Sequence, residues 1–360
     1  MVSYPKRIVI LAVILVALTG CTMPPPPQQV QSAPASQPAA ITPPAQPEAT
    51  TPIPLKVAVA PYLSYAPFYI AQAEGYFTEQ GLDVEILRVT RSSDAIASLA
   101  QGQLDVASFP ISSALLNAIV RDSGIKIVAS KDRAVEQTCV YSGLVARSGS
   151  GISSTDVISP QLLKDLKYDV TLTAMGGFML DTVLKPYGLS VDEITLADMP
   201  NAAATLDGML QGTVDVAVMI EPWITQARST GAGDVWLARG EIAPDNQLAI
   251  VAFGPTILKD NPQAGERFMV AYLKAVRHFS EGMTESTLAL LEKELELDRV
   301  LLTEMCLPYI PLDGEINAQS IIDFGDWAAA RDSIDAPVTV EQFWEPRFVE
   351  YARQTLEGSH

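Results

Sequence analysis

Apolar and polar positions alternate along the chain in short blocks whose period changes repeatedly. Leu55-Lys-Val-Ala-Val-Ala60 is a valine-rich apolar run that suits a buried parallel strand. A helical stretch follows from about Ala66 to Glu79 and stops at Gly81. Asp83-Val-Glu-Ile-Leu87 alternates polar and apolar, as a second strand would. Ser93 can cap a helix that runs to Gln101, before Gly102. Asp105 to Ser108 reads as a third strand, and Ser112 to Asp122 as a further helix. Strands alternating with helices predict an α/β fold, with parallel pairing through right-handed crossovers.

The pattern recurs. Leu99-Ala-Gln-Gly102-Gln-Leu-Asp105-Val106-Ala107 matches Met209-Leu-Gln-Gly212-Thr-Val-Asp215-Val216-Ala217. Each copy carries a helix that ends at glycine and a strand that opens Asp-Val-Ala, which predicts two related lobes. Cys139 to Ala146 and Asn246 to Phe253 are strand-like and read as the two crossings between them. The first lobe is then 55–140 plus 255–360, and the second 141–254. The C-terminal part reads as helical, with stretches at Ala264 to Glu281 and Thr284 to Leu295. Ligands of open α/β sheets bind beyond the carboxyl ends of the strands, so the expected site is the cleft between the lobes.

The start of the chain has another texture. Lys6 and Arg7 precede an apolar run from Ile8 to Leu18, and residues 1–20 read as an export signal. The run is too short for a membrane span, which needs about 20 residues. Leu18-Thr-Gly-Cys21 resembles the bacterial lipobox, so Cys21 is the expected lipidation site and the first residue of the mature protein. Residues 21–54 are rich in Pro, Gln, Ala, Ser and Thr. They predict an unfolded tether of up to about 100 Å on the outer face of a cell membrane.

Composition narrows the functions. Among 360 residues, 42 are acidic and 24 basic, a net charge of −18, which disfavours nucleic acid as a partner. Two histidines cannot build a histidine-rich metal site. Three cysteines are too few for a disulfide scaffold. Cys139 and Cys306 can pair outside the cytoplasm or stand as buried free thiols.

The segments Val59-Ala60-Pro61, Ala66-Pro67-Phe68-Tyr69-Ile70-Ala71, Glu74-Gly75-Tyr76-Phe77, Glu79-Gln-Gly81-Leu-Asp83-Val-Glu85 and Glu221-Pro222-Trp223 resemble solute-binding proteins of ABC importers. The branch is the one with nitrate, sulfonate and taurine binders and thiamine-pyrimidine and riboflavin binders. The resemblance covers about residues 55 to 350. It implies a two-lobed periplasmic-binding-protein fold of the second type, acting as a monomer without a cofactor. It also implies capture of a small molecule for a membrane permease and its ATPase. Related thiamine-pyrimidine synthases use clustered cysteines and a histidine, which this chain lacks, so an enzyme is not expected.

Candidate ligand contacts follow from position. Tyr62, Tyr65 and Phe68 lie after the first strand and can stack on a flat ring, or form a turn packed on the sheet. Phe109 and Ser112 follow the third strand, and Ser112 also suits a helix cap. Met175, Gly176 and Phe178 stand where exposed backbone N–H groups at a helix start can meet a ligand, or where helix and strand pack tightly. Binders of sulfonates usually carry a small hydroxyl residue there, so Met175 and Phe178 argue against an oxyanion. Glu221 can accept from a ligand or form a structural corner, and Trp223 can cover a ring. Lys131, Asp132 and Arg133 lie near the first crossing and can rim the cleft, but read first as a solvated charge cluster. The aromatic supply points to a flat neutral heterocycle, with riboflavin first. A thiamine pyrimidine precursor and a sulfonate- or nitrate-type anion are the alternatives.

Overall fold

A computed structural model describes residues 51–89, 91–135, 139–152 and 158–358. The expected signal, Cys21 and nearly all of the tether lie outside the described residues. The described residues contain strands β1 (Ile53–Val59), β2 (Leu82–Arg88), β3 (Val106–Pro110), β4 (Lys126–Arg133), β5 (Ser142–Arg147), β6 (Lys167–Asp169), β7 (Thr195–Leu196), β8 (Val216–Ile220), β9 (Gly233–Ala238) and β10 (Gln247–Phe253). They form two five-stranded sheets, ordered β2-β1-β3-β10-β4 and β7-β6-β8-β5-β9. The architecture is α/β, with β1, β2 and β3 parallel and β10 antiparallel between β3 and β4. In the second sheet β6, β7 and β8 are parallel, and β5 is antiparallel between β8 and β9.

The repeated sequence marks equivalent joints in the two sheets. The Asp105 amide donates to the Lys56 carbonyl at 3.0 Å, and the Lys56 amide donates to Asp105 Oδ2 at 2.8 Å. Asp215 and Lys167 exchange the same pair of bonds, at 2.8 and 3.0 Å. A side chain that accepts a strand amide fixes the spacing between helix end and strand, which explains why Asp follows Gly at both places. Gly102 and Gly212 reverse the chain with φ of +69° and +74°, a region that glycine enters without a Cβ penalty.

Three expectations need adjustment. The helix expected from Ala66 to Glu79 is two, Ala66–Ala73 and Tyr76–Glu79, broken where Gly75 takes φ +74°. The segment read as a second-lobe crossing, 246–253, is mostly β10, which hydrogen-bonds on both sides within the first sheet. The chain therefore re-enters the first sheet at Gln247 rather than at 255. Periodicity identified the strand, but its partners β3 and β4 lie more than a hundred residues away in sequence. The segment from Cys139 likewise becomes β5 from Ser142 onward, so the described backbone between the sheets is 134–135 and 139–141 on one side and 243–246 on the other.

The C-terminal helices complete the core and tie the lobes together. Helix Pro262–Ser280 buries Phe268, Tyr272 and Val276 against helix Ala66–Ala73 and helix Arg347–Glu357. Helix Ala318–Ala329 reaches the second lobe, where Trp327 Nε1 donates to Asp181 Oδ2 at 3.0 Å in helix Met175–Leu184. Just beyond that helix, Arg331 pairs with Asp192. Cys139 and Cys306, whose pairing the sequence left open, form a disulfide that joins the first crossing to the segment after helix Arg299–Glu304.

Candidate functional site

A cavity of about 350 Å³ lies where the carboxyl ends of the central strands of both sheets meet. The size is within the range of small-molecule sites. From the first lobe it is lined by Tyr62, Ser64 and Tyr65 after β1, Ser108 and Pro110 of β3, and Lys131 and Asp132 of β4. From the second lobe come Thr171 after β6, Met219 and Ile220 of β8, and Trp223. Tyr62 and Trp223 are half-buried, whereas Tyr65 is buried.

Most of its polar groups are engaged within the protein. The Tyr65 hydroxyl donates to the Ser108 carbonyl at 2.8 Å, and burial pushes its phenol above the usual range. The Ser108 hydroxyl donates to the Ile250 carbonyl at 2.8 Å. The hydroxyl of Thr205, at the rim, donates to Asp169 Oδ2. These bonds hold the Tyr65 ring as a fixed wall, which lowers the entropy lost when a ligand is placed against it.

A buried charge cluster closes the inner end. Lys131 Nζ donates to Ser64 Oγ at 2.7 Å and sits 3.6 Å from the centroid of the Tyr65 ring. Asp132 forms an ion pair with Arg239, on the short helix that follows β9. Burial pulls the Lys131 ammonium down to about 7; Asp132 opposes the shift and Arg239 adds to it. The expected solvated cluster is thus corrected, since Lys131 and Asp132 are 3% and 1% exposed. Arg133, the third member, is paired with Asp245 at 2.6 Å outside the cavity.

The structure brings Tyr62, Tyr65 and Trp223 together at the cavity and places the other predicted residues elsewhere. Phe68 is in the core, with its ring 5.1 Å from Tyr272 and 6.4 Å from Phe268. Phe109 is one residue out of register with Ser108 and Pro110, so the strand period of two turns it onto the helix-covered face. Ser112 caps helix Ser113–Val120 through the Leu115 amide, and its backbone bridges to Ala174. The amide of Met175, expected to face a ligand, donates instead to the Ile111 carbonyl, and the side chain is buried among Met179 and Phe324. A Cβ on Gly176 would lie 3.4 Å from Val170 and Val218, so that position serves close packing. Phe178 meets Trp327 edge-on at 5.8 Å.

Glu221 is buried at a cis peptide bond to Pro222, beneath Trp223. Its carboxylate accepts from the Thr225 amide at 3.0 Å, the Thr225 hydroxyl at 2.9 Å and the Cys306 amide at 3.4 Å. It thus forms the corner that orients Trp223, and burial raises its pKa. Ser64, Tyr141 and Arg239 are the site residues that sequence reasoning missed, and Lys131 and Asp132 are those it placed at the cleft only as the second reading. The available signal was that Lys131 and Asp132 continue an apolar strand without a turn residue between.

The two sheets and the cleft between them define the two-lobed fold of periplasmic binding proteins. A model of the family described as "NMT1/THI5 like" matches residues 63–281, and the chain belongs to that family. It is 28% identical over 168 residues to the 4-amino-5-hydroxymethyl-2-methylpyrimidine phosphate synthase THI13 of Saccharomyces cerevisiae, covering 45% of this chain and 43% of that protein. It is 24% identical over 122 residues to the riboflavin-binding protein RibY of Chloroflexus aurantiacus, covering 34% and 33%. The chain spans less than half the length of these curated relatives. The crystal structure of the periplasmic aliphatic sulphonate binding protein SsuA from Escherichia coli superposes with a TM-score of 0.67 at 15% identity, covering 82% of this chain and 93% of that one.

Proposed function

We propose that the chain is an extracytoplasmic solute-binding protein that captures a small molecule between its lobes and delivers it to an ABC-type importer. The observation that carries this reading is the cavity at the strand ends of both sheets. It has aromatic walls, and most of its polar groups are engaged within the protein. The fold shared with SsuA supports it. The motif ending at Cys21 supports anchoring by lipid to the outer face of a membrane. Permease and ATPase partners follow from the same reading.

The ligand proposed first is riboflavin. Tyr62, Tyr65 and Trp223 offer flat apolar surface around the cavity, and RibY, a relative, is named for riboflavin. Mass spectrometry of small molecules retained through purification tests the reading, together with titration of riboflavin fluorescence. A retained flavin and quenching on binding are expected. A protein that retains no solute, and leaves riboflavin fluorescence and its own melting temperature unchanged, would refute the assignment. The yeast relatives named as synthases favour a second reading, a pyrimidine-forming enzyme. Sustained release of the pyrimidine phosphate by purified protein would establish it.

A further inference from the structure

Two buried groups at the inner end of the cavity, Lys131 and Tyr141, each keep a donor hydrogen without an acceptor. An ammonium carries three N–H bonds. Ser64 accepts one from Lys131, and the face of the Tyr65 ring takes up a second. Among the described residues, no carboxylate or carbonyl accepts the third. The hydroxyl of Tyr141, 4% exposed and also lining the cavity, lies beside Ser64, whose oxygen already accepts from Lys131, and finds no acceptor of its own in good geometry. The acceptors nearby are already engaged: Asp132 by Arg239, and the Ser108 carbonyl by Tyr65. Buried donors left in this way are unfavourable until something accepts from them.

We propose that the ligand enters with an oxygen acceptor edge, such as the carbonyl edge of a pyrimidinedione ring, which accepts from Lys131 Nζ and the Tyr141 hydroxyl while its flat body lies among Tyr62, Tyr65 and Trp223. The inference rests on the solute-binding reading and deepens it by naming the edge of the ligand that is read and the two residues that read it. A protonated amine is disfavoured at that end, since it would face Lys131 with the one nearby carboxylate already paired. An edge led by an exocyclic amino group would set donor against donor. The low pKa of Lys131 fits the same picture, because an acceptor oxygen restores part of what burial removed.

Calorimetric titration of the purified full chain separates the outcomes, with riboflavin, ethanesulfonate and 4-amino-5-hydroxymethyl-2-methylpyrimidine as probes. Riboflavin is expected to bind, with affinity at least tenfold weaker in Lys131→Met and about tenfold weaker in Tyr141→Phe. Tyr141→Phe removes one oxygen and keeps the ring, so it carries the test if Lys131→Met does not fold. Binding of ethanesulfonate instead, weakened in the same variants, keeps the acceptor edge and assigns it to a sulfonate. Riboflavin binding that neither variant weakens overturns the proposal and leaves the solute-binding reading intact. Binding of the aminopyrimidine alone also overturns it. Failure of all three probes, with no retained solute, overturns the solute-binding reading and this inference together.

Discussion

Asp132 on the edge strand of the first sheet is paired with Arg239 from the second lobe, and both side chains are almost wholly buried, at 1% and 5% exposure. The pair lies beside the ligand cavity and ties the two lobes behind it. Two charges taken out of water hold together only as a pair. Asp132→Asn leaves the guanidinium uncompensated and is expected to destabilise the fold by about 3–5 kcal/mol. Asp132→Leu combined with Arg239→Met should recover most of that loss. Urea denaturation of the three proteins at pH 7 checks this. Equal destabilisation by the single and double variants would show that the charges are not coupled.

Lys131 gives stability a pH dependence with a defined sign. Its pKa falls from 10.5 in the unfolded chain to about 7 in the fold. Between these values the unfolded chain binds the extra proton, so this group makes stability rise with pH. Below about pH 7 both states are protonated and the burial penalty is fully present. Lys131→Met should therefore flatten the stability profile between pH 7 and 10, with its greatest relative gain at pH 6, where it amounts to about 2–4 kcal/mol less the lost contact to Ser64. Melting temperatures across that range test it, and an identical slope in both proteins would contradict the assignment.

Glu221 is expected to matter for the corner under Trp223 more than for direct ligand contact. Glu221→Ala strips acceptors from the Thr225 amide and hydroxyl and the Cys306 amide and is expected to lower stability by about 2–3 kcal/mol. Glu221→Gln keeps an acceptor oxygen and should lose less than half as much. Trp223→Ala leaves the corner intact and should weaken ligand binding about tenfold at nearly unchanged stability. Denaturation and titration of the three variants side by side separate the two roles. Stronger loss of affinity in Glu221→Gln than in Trp223→Ala would assign Glu221 to the ligand.

The disulfide between Cys139 and Cys306 spans 167 residues of sequence and closes a long loop in the unfolded chain. Replacing both by serine is expected to cost about 2–5 kcal/mol, chiefly through the unfolded state. The double variant should lower the melting temperature while the ligand affinity changes less than threefold. Calorimetry of oxidised, reduced and double-serine protein is the check. Coincident transitions would mean that the bridge does not form.

The sequence by itself determined the strand and helix blocks, the pair of Gly-to-Asp joints that marks two related lobes, and the aromatic residues that follow the strands. All of these are local. Period two or 3.6, a glycine that can take positive φ, and an aspartate that accepts a strand amide act within a few residues of chain. Tyr62, Tyr65 and Trp223 were found because a loop after a strand can face the cleft whatever else the chain does. Only the tertiary structure decided that β10 returns to the first sheet, that Phe109 turns away from Ser108, and that the Met175 amide meets Ile111. It also decided the fate of Lys131 and Asp132. In sequence they are charges beside Arg133 and read as solvated. Folding brings Arg239, more than a hundred residues away, against Asp132 and sets Lys131 over the Tyr65 ring. Whether a charge is buried depends on what surrounds it in space, and that is known only once both lobes have met.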